Sequence, residues 1–447
     1  MNYIYVDNYR GFSDTAIPIL NVNFLVGENS TGKTSILGLI KLLSPPDFWL
    51  KNEFDFRKVG LGTFKDIVSV NASDKSYFSV GMVFDENTIA PKLEKSNGVS
   101  GKKENSVISI IIMTFVEHEG IPKLASILSY RKGFEISVKY VGKKIKYKYR
   151  KHFIKGSSEE FIGGGFKEWL VGHRSDSSGY TILKEAAPFL RAAPPIIIIS
   201  LIEEIIQSGK PAVDRISYEI TSFFNDIAWL APIRSKPKKT YDEFSLEYSP
   251  EGAHTPYLIK KKLDSKQDSE KFKRFLIGVG EQSGLFKRIE IKSYGRGATT
   301  PFELEVILSE HPLSVSSVGY GVSQALPVIV EMFSRPRRSW FAIQQPEVHL
   351  HPKAQAAFGE IVFNLCIKEE KNFIIETHSD YTIDRFRILL RKSKSKPKSQ
   401  ILFFERGDFG NVISAIPISS NGEISSDQPD SYREFFLREE MELLGLI

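Results

Sequence analysis

Hydrophobic positions along the chain change period several times, and each change marks an element. Tyr3-Ile4-Tyr5-Val6 is a strand-like run, and Asn8-Tyr9-Arg10-Gly11 after it has the composition of a turn. Ile19 through Val26 is mostly apolar and stops at Gly27, the pattern of one buried strand. From Lys33 the apolar residues take helical spacing (Ile36, Leu37, Ile40, Leu43), and Ser44-Pro45-Pro46 stops the helix. Tyr77 to Phe84, Val107 to Phe115 and Ser137 to Tyr149 read as strands separated by Gly/Lys/Asn loops. Residues 156–228 are mixed and more helical, with loops at Gly163-Gly164-Gly165 and Asp176-Ser177-Ser178-Gly179. After Trp229 helices and strands alternate to the end, and Ser431 to Ile447 has the spacing of an amphipathic helix. Neither a sustained heptad nor a fixed repeat is present, which argues against a long coiled-coil arm or a solenoid.

Composition adds bounds. At 447 residues with 41% hydrophobic and 26% charged positions, the chain can bury a large core without disulfide or metal staples. Its single cysteine, Cys366, lies in an apolar run, so a disulfide framework and a cysteine metal cluster are excluded and a reducing cytosol is expected. The N-terminus lacks the basic and apolar regions of a signal peptide. The most apolar short run, Pro194 to Ile199, is far below the roughly 18 residues that span a bilayer. A cytoplasmic protein without membrane contact is expected. The net charge of +6 permits nucleic-acid contact without requiring it.

Gly27-Glu28-Asn29-Ser30-Thr31-Gly32-Lys33-Thr34 fits G-x4-G-K-[ST] and lies between an expected strand and an expected helix, the context the motif requires. Glycines let backbone N–H groups turn inward around phosphate oxygens, and a helix N-terminus favours anions. Lys33 would reach the β and γ phosphates of ATP, and the Thr34 hydroxyl would coordinate Mg²⁺.

Three later stretches belong with this loop. Val318-Gly319-Tyr320-Gly321-Val322-Ser323-Gln324 is a small-residue turn that opens a helical pattern. Ser339 to Ile343 is a buried-strand run ending at Gln344-Gln345. Asn372 to Ile375 leads through Glu376 into Thr377-His378-Ser379. The order of these elements resembles the ABC-type heads of the SMC, RecF and OLD-like ATPases. Asn8 to Phe12, Leu61 to Val68, Leu230 to Arg234, Gly319 to Pro327 and Gln345 to Gln355 are similar to stand-alone OLD-like ATPases, including the ATPase subunits of the anti-phage systems Septu and PARIS. The resemblance spans roughly residues 1–85 and 225–447 and leaves the middle uncovered.

The resemblance implies an α/β fold: an ABC-type P-loop ATPase head with an antiparallel β-subdomain, a mixed central sheet flanked by helices, and an inserted β/α middle region. The expected domains are an N-terminal lobe at 1–95, the insertion at 96–228 and a C-terminal lobe at 229–447. It also implies roles. Asn29 to Ser35 hold the phosphates of ATP. Ser323, with Gln324 beside it, contacts the γ-phosphate bound on a second subunit. His378 senses that phosphate from its own subunit, and Arg10 lies near the nucleotide. No glutamine-lid motif is assigned. The implied partners are a second copy, in a head-to-head dimer, and a separate effector nuclease of HNH or TOPRIM type, since no nuclease is visible in this chain.

The departures concern chemistry. Gln344 stands where the family has an acid that helps hold Mg²⁺, and Gln345 stands at the general-base position. An amide orients water but does not accept its proton. Positioning and electrostatics dominate phosphoryl transfer, so slow or absent hydrolysis is expected, with Glu347 as a partial substitute base. Glu347, His349 and His351 also make a metal reading conceivable, but the resemblance places them against a partner subunit. Tyr140 to Lys155 interleaves lysines with aromatics, as a nucleic-acid groove would, although an amphipathic strand with a solvated face is the favoured reading. Arg391 to Lys398 reads as a solvated loop. The competing functional readings are a RecF/SMC-like DNA-binding ATPase in repair, and a degenerate scaffold, which the intact phosphate loop disfavours.

Overall fold

The computed structural model describes residues 1–45, 48–49, 54–85, 108–131, 133–154, 156–175, 178–183, 193–208, 227–242, 245–295, 297, 300–432, 434, 442 and 445. The chain forms two compact units. The first comprises residues 1–20, 28–225 and 404–413, the second 21–27, 226–403 and 414–447. The helix expected over 431–447 lies almost wholly outside the described residues.

The first unit is built on an antiparallel sheet. Its strands are β1 (Asn2–Asp7), β2 (Thr15–Ile19), β4 (Tyr77–Asp85), β5 (Ile108–His118), β6 (Ile121–Arg131), β7 (Phe134–Val141), β8 (Lys144–Lys151) and β9 (Thr181–Ile182), while β3 (Val22–Gly27) belongs to the second unit. Their order is β2-β1-β4-β5-β6-β7-β8-β9. The run expected as one strand from Ser137 to Tyr149 is a hairpin folded at Gly142-Lys143, where Gly142 has φ 57°. Ile19 to Val26 likewise divides into β2 and β3. Between β5 and β6 the turn residues Glu119 and Gly120 both have positive φ (54° and 79°), the backbone twist that suits a two-residue hairpin. One sheet face packs Tyr3, Tyr5, Ile110, Ile112 and Leu128 against Phe166 and Leu170. Those two come from α3 (Phe166–Ser175), which follows α1 (Lys33–Leu43) and α2 (Ser158–Gly164) in the chain. The opposite face carries stacked Phe78 and Phe115, 5.3 Å apart, with Phe56 edge-on to both. The helix α4 (Pro195–Ser208) contains the short apolar run noted above.

The second unit holds a six-stranded sheet in the order β10-β14-β15-β3-β16-β17 and a three-stranded antiparallel sheet, β11-β12-β13. The strands are β10 (Ala228–Leu230), β11 (Arg288–Ser293), β12 (Phe302–Ile307), β13 (Pro312–Ser314), β14 (Trp340–Gln344), β15 (Asn372–Glu376), β16 (Ser399–Gly407) and β17 (Gly410–Ile418), the tip of the last hairpin being assigned to the first unit. From β10 to β3 neighbours run parallel. Such strands are covered on both faces and so read as continuous apolar runs: Phe341, Ala342 and Ile343, like Phe373, Ile374 and Ile375, are fully buried. The helices are α5 (Thr255–Asp264), α6 (Ser269–Ser283), α7 (Tyr320–Ser334), α8 (Pro352–Glu369) and α9 (Asp380–Lys392). Phe24 of β3 meets Phe386 of α9 edge-on at 5.4 Å. The fully buried Asn23 is satisfied: it donates to the Phe373 carbonyl and accepts from Gln400. The α/β class with antiparallel and mixed sheets is thus as expected from the sequence. Among the described residues no helix is long and apolar enough to cross a membrane.

Candidate functional site

The strand β3 ends at Gly27 and α1 begins at Lys33, so the phosphate motif is a strand-to-helix loop. Three of its residues have positive φ: Gly27 (135°), Ser30 (64°) and Gly32 (95°). A Cβ at Gly32 would also lie 2.5 Å from the Phe12 ring, so glycine is required twice over. Thr31 is buried and its hydroxyl donates to the Glu28 carbonyl at 2.7 Å, which closes the loop on itself. Lys33 is buried too, with Nζ donating to the same carbonyl at 2.5 Å. Glu28, Asn29, Ser30 and Thr34 are exposed and Ser35 is half-buried. The hydroxyl of Tyr9 donates to the Ser35 carbonyl at 2.9 Å, which ties the first turn of α1 to the segment after β1. Arg10, beside it, has φ 48° and donates from Nη2 to the Leu61 carbonyl at 2.6 Å.

In the second unit, β14, β15 and β3 end side by side. Gln344 is the register partner of Glu376, and Glu376 that of Leu25. Beyond these positions the chain turns sharply: Gln345 has φ 42° and donates its N–H to the Glu376 carbonyl at 2.8 Å. Arg234, almost fully buried, underpins this turn. It donates from Nη2 to the Gln344 carbonyl at 3.0 Å and from Nη1 to those of Pro232 (2.9 Å) and Gln345 (3.4 Å). Burial pulls its pKa down to about 10 and the charge of Glu347 opposes that fall, so Arg234 stays cationic at neutral pH. Glu347 spans to the segment after β15, where its two carboxylate oxygens accept from the Thr377 hydroxyl at 2.9 Å and the His378 N–H at 2.7 Å. The His378 ring is exposed. His349 has φ 65° and its ring lies 5.6 Å from that of Tyr320. His351 caps α8, its Nδ1 accepting from the Ala354 N–H. Among the described residues no group of three or more His, Cys, Asp or Glu could hold a metal ion.

The Ser323 turn opens α7. Ser323 is buried and its hydroxyl donates to the Tyr320 carbonyl at 2.9 Å, while Gln324 accepts the Arg234 N–H at 3.4 Å. A Cβ on Gly321 would come within 2.9 Å of the His349 carbonyl, so this turn and the segment after β14 are packed backbone to backbone. On β8, by contrast, the basic residues are partly used internally. Lys148 and, from β7, Lys139 flank the Tyr180 ring, and Arg150 pairs with buried Glu135 at 3.3 Å.

One residue of the site carried no signal in the sequence. Glu376 ends β15 only 5% exposed, and its Oε2 accepts from Gln344 Nε2 at 3.0 Å. As a lone acid before Thr-His-Ser it reads as the polar end of a strand. Only strand pairing places it against the glutamine.

Comparisons with known proteins match two stretches of the chain to ATPase families. Residues 1–162 match a family described as "AAA ATPase domain", and residues 204–384 match one described as "AAA domain, putative AbiEii toxin, Type IV TA system". No curated protein matches the chain. Solved structures that resemble it include SMC heads. One is an SMC head bound to the C-winged helix domain of ScpA, at 11% identity and TM-score 0.41, covering 93% of this chain and 97% of that one. Another, from Pyrococcus furiosus, has an extended coiled coil and is bound to the C-terminal domain of ScpA, at 10% identity, TM-score 0.40 and coverage of 100% and 99%. The SMC head domain of Thermotoga maritima stands at 10%, 0.38, and 92% and 97%. The chain therefore matches AAA-type ATPase families over two separate stretches, one containing the phosphate loop and the other the Ser323 turn and the ends of β14 and β15.

Proposed function

We propose that this chain is an ATP-binding switch subunit of a cytoplasmic bacterial anti-phage defence complex. Two copies close around two ATP molecules, with the phosphate loop of one copy opposite the Ser323 turn of the other. The closed form controls a separate effector nuclease of HNH or TOPRIM type, and hydrolysis is slow. The observation that carries the reading is the phosphate loop itself: a left-handed Gly32 with no room for a Cβ, followed at once by Lys33 and an exposed Thr34 at a helix N-terminus. That donor set suits the phosphates and Mg²⁺ of ATP. The defence setting rests on the motif resemblance. A matched family that carries a toxin description is compatible with it.

Bound Mg-ATP would supply the phosphoanhydride and the charge that the metal neutralises. Lys33 and the loop N–H groups from Asn29 to Ser35 hold the phosphates, and Thr34 offers its hydroxyl to the metal. Gln345 orients a water without taking its proton, and His378 faces the γ-phosphate. Glu347 holds the His378 backbone in place and so acts as a positioning residue. With two amides ending β14, proton removal is the weak step, and ATP serves mainly to hold the heads together.

The test is stoichiometric ATP retention, steady-state phosphate release and ATP-dependent self-association of the full chain, with Lys33→Ala as control. The expected result is about one ATP per chain, association with ATP and little release. Fast release abolished by Lys33→Ala would overturn the slow switch, and absence of Lys33-dependent binding would overturn the ATP reading. Strong stimulation by DNA would favour a RecF/SMC-like repair ATPase.

A further inference from the structure

Beside the Ser323 turn lies a cavity of about 450 Å³, lined entirely by residues of the second unit. That volume is within the range of small-molecule sites. One wall is apolar: Leu304, Val315, Leu326 and Pro327, with the rings of Tyr241 and Tyr257. The other is polar and is formed by Gly252 to Tyr257, the entry to α5, with exposed Lys236 and Lys238. Three features of the polar wall favour an anion. Two lysines face a single lining carboxylate, the exposed Glu247. The N-terminus of α5, a ten-residue helix, has no side-chain cap. His254 at its N-cap position is committed elsewhere, accepting the Ser249 N–H through Nδ1 at 3.2 Å and meeting Glu331 through Nε2 at 2.7 Å. The positive end of the helix is therefore left to whatever fills the cavity. Finally, Thr255 is only 3% exposed, yet its hydroxyl has no hydrogen-bond partner among the described residues. A buried hydroxyl left without a partner is costly, and an acceptor on a ligand would satisfy it.

We propose that this cavity is an effector site for a small organic oxyanion, a phosphate or carboxylate on an apolar body. The Thr255 hydroxyl, Lys236, Lys238 and the α5 N-terminus receive the anionic group. The apolar body lies against Leu326, Pro327 and the two tyrosine rings. Both Ser323 and Pro327 line the cavity, so the ligand touches α7 at the Ser323 turn. Pro327 stands inside α7 and has no N–H, so it cannot donate to the Ser323 carbonyl four residues earlier. The helix is thus weakened where it borders the cavity, and a ligand held there orders residues 319–327. Binding stands apart from the ATP reading; only its use as a control on head closure rests on that reading.

The experiment titrates phenyl phosphate, benzoate and, as the neutral control, phenol into the full chain without nucleotide, by calorimetry, and follows amide hydrogen exchange at saturation. The variants are Thr255→Val and the pair Lys236→Gln with Lys238→Gln. The expected result is saturable binding of an anion, with phenol about tenfold weaker or more; the preferred probe tells phosphate from carboxylate. Thr255→Val keeps the shape and removes an unpartnered hydroxyl, so it should melt no lower than the wild type while its anion affinity falls on the order of tenfold. The lysine pair should weaken binding and flatten its salt dependence. Exchange should slow over 252–258 and 319–327. Binding of phenol as tight as that of the anions overturns the proposal, as does absence of saturable binding by both anions or wild-type affinity in Thr255→Val. Unchanged exchange over 319–327 at saturation overturns the effector role. Because no nucleotide is present, each of these failures leaves the ATP reading standing, and loss of Lys33-dependent ATP binding leaves this site standing.

Discussion

The carboxylate of Glu347 holds the backbone N–H of His378 at 2.7 Å, so the segment after β14 fixes the segment after β15. Its other oxygen takes the Thr377 hydroxyl, which leaves both oxygens engaged. Glu347→Ala removes two charge-assisted bonds, each worth about 1.5–3 kcal/mol when well formed, and less here because the side chain is only half-buried. The expected outcome is a chain that binds ATP as the wild type does but associates weakly in its presence, because the His378 segment is loose. Glu347→Gln, which keeps one acceptor oxygen, falls between. Light scattering with and without ATP measures this, and wild-type association of Glu347→Ala would refute the anchoring role.

How far the sequence discloses this site depends on which contacts are local. The phosphate loop is legible because its glycines, lysine and threonine lie within eight residues, and local backbone geometry demands them. The buried strands β14 and β15 are legible as apolar runs. Glu376 is not, because its meaning depends on which strand lies beside it and in which register, and pairing across 32 residues leaves no local periodicity. Arg234 is hidden for the same reason: two of its three carbonyl partners, those of Gln344 and Gln345, lie about 110 residues away, and any residue could supply them. The hairpin within 137–149 was hidden because Gly142-Lys143 hardly interrupts an alternation that continues through the turn.

Gly32 offers a test of the loop independent of nucleotide chemistry. Its φ of 95° and the Phe12 ring 2.5 Å from any Cβ mean that Gly32→Ala strains the backbone and displaces a buried ring. A cost of about 1–3 kcal/mol for the backbone alone is expected, with overpacking added. Gly60→Ala is the control, since it also has positive φ (74°) but its Cβ would meet nothing within 4 Å. Gly32→Ala should therefore melt well below Gly60→Ala and lose ATP binding. Equal melting temperatures would show that Phe12 yields freely.

Away from the site, Glu331 supplies a pH dependence. Burial pushes its pKa up, but hydrogen bonds from His254 (2.7 Å) and Arg335 (2.9 Å), with their charges, outweigh burial and leave it below the usual carboxylate value. A carboxyl whose folded-state pKa is depressed contributes stability that is present above its unfolded pKa, about 4.3, and lost as pH falls through the folded value. The wild type should thus lose stability from about pH 5 downward. Glu331→Gln should be less stable at pH 7, since it leaves buried His254 and Arg335 without their acid, and should show a shallower acid limb. Parallel acid limbs in thermal melts of the two proteins would exclude Glu331 as a contributor.

The two glutamines can be converted to acids separately, and the outcomes differ in kind. Gln344→Glu sets a second carboxylate about where the amide now lies, 3.0 Å from Glu376 Oε2. Two like charges at that distance share a proton or require a cation between them. This variant should be destabilised in EDTA and regain stability with Mg²⁺ and ATP, a shift visible in thermal melts. Gln345→Glu instead places a proton acceptor at the turn with φ 42°, where general-base assistance is worth on the order of 10²–10⁴ in rate. Gln345→Glu alone should therefore raise phosphate release. A rise that appears only when both are acids would mean that the base needs an acid at Gln344 as well. Absence of any rise would mean that Gln345 does not occupy the base position.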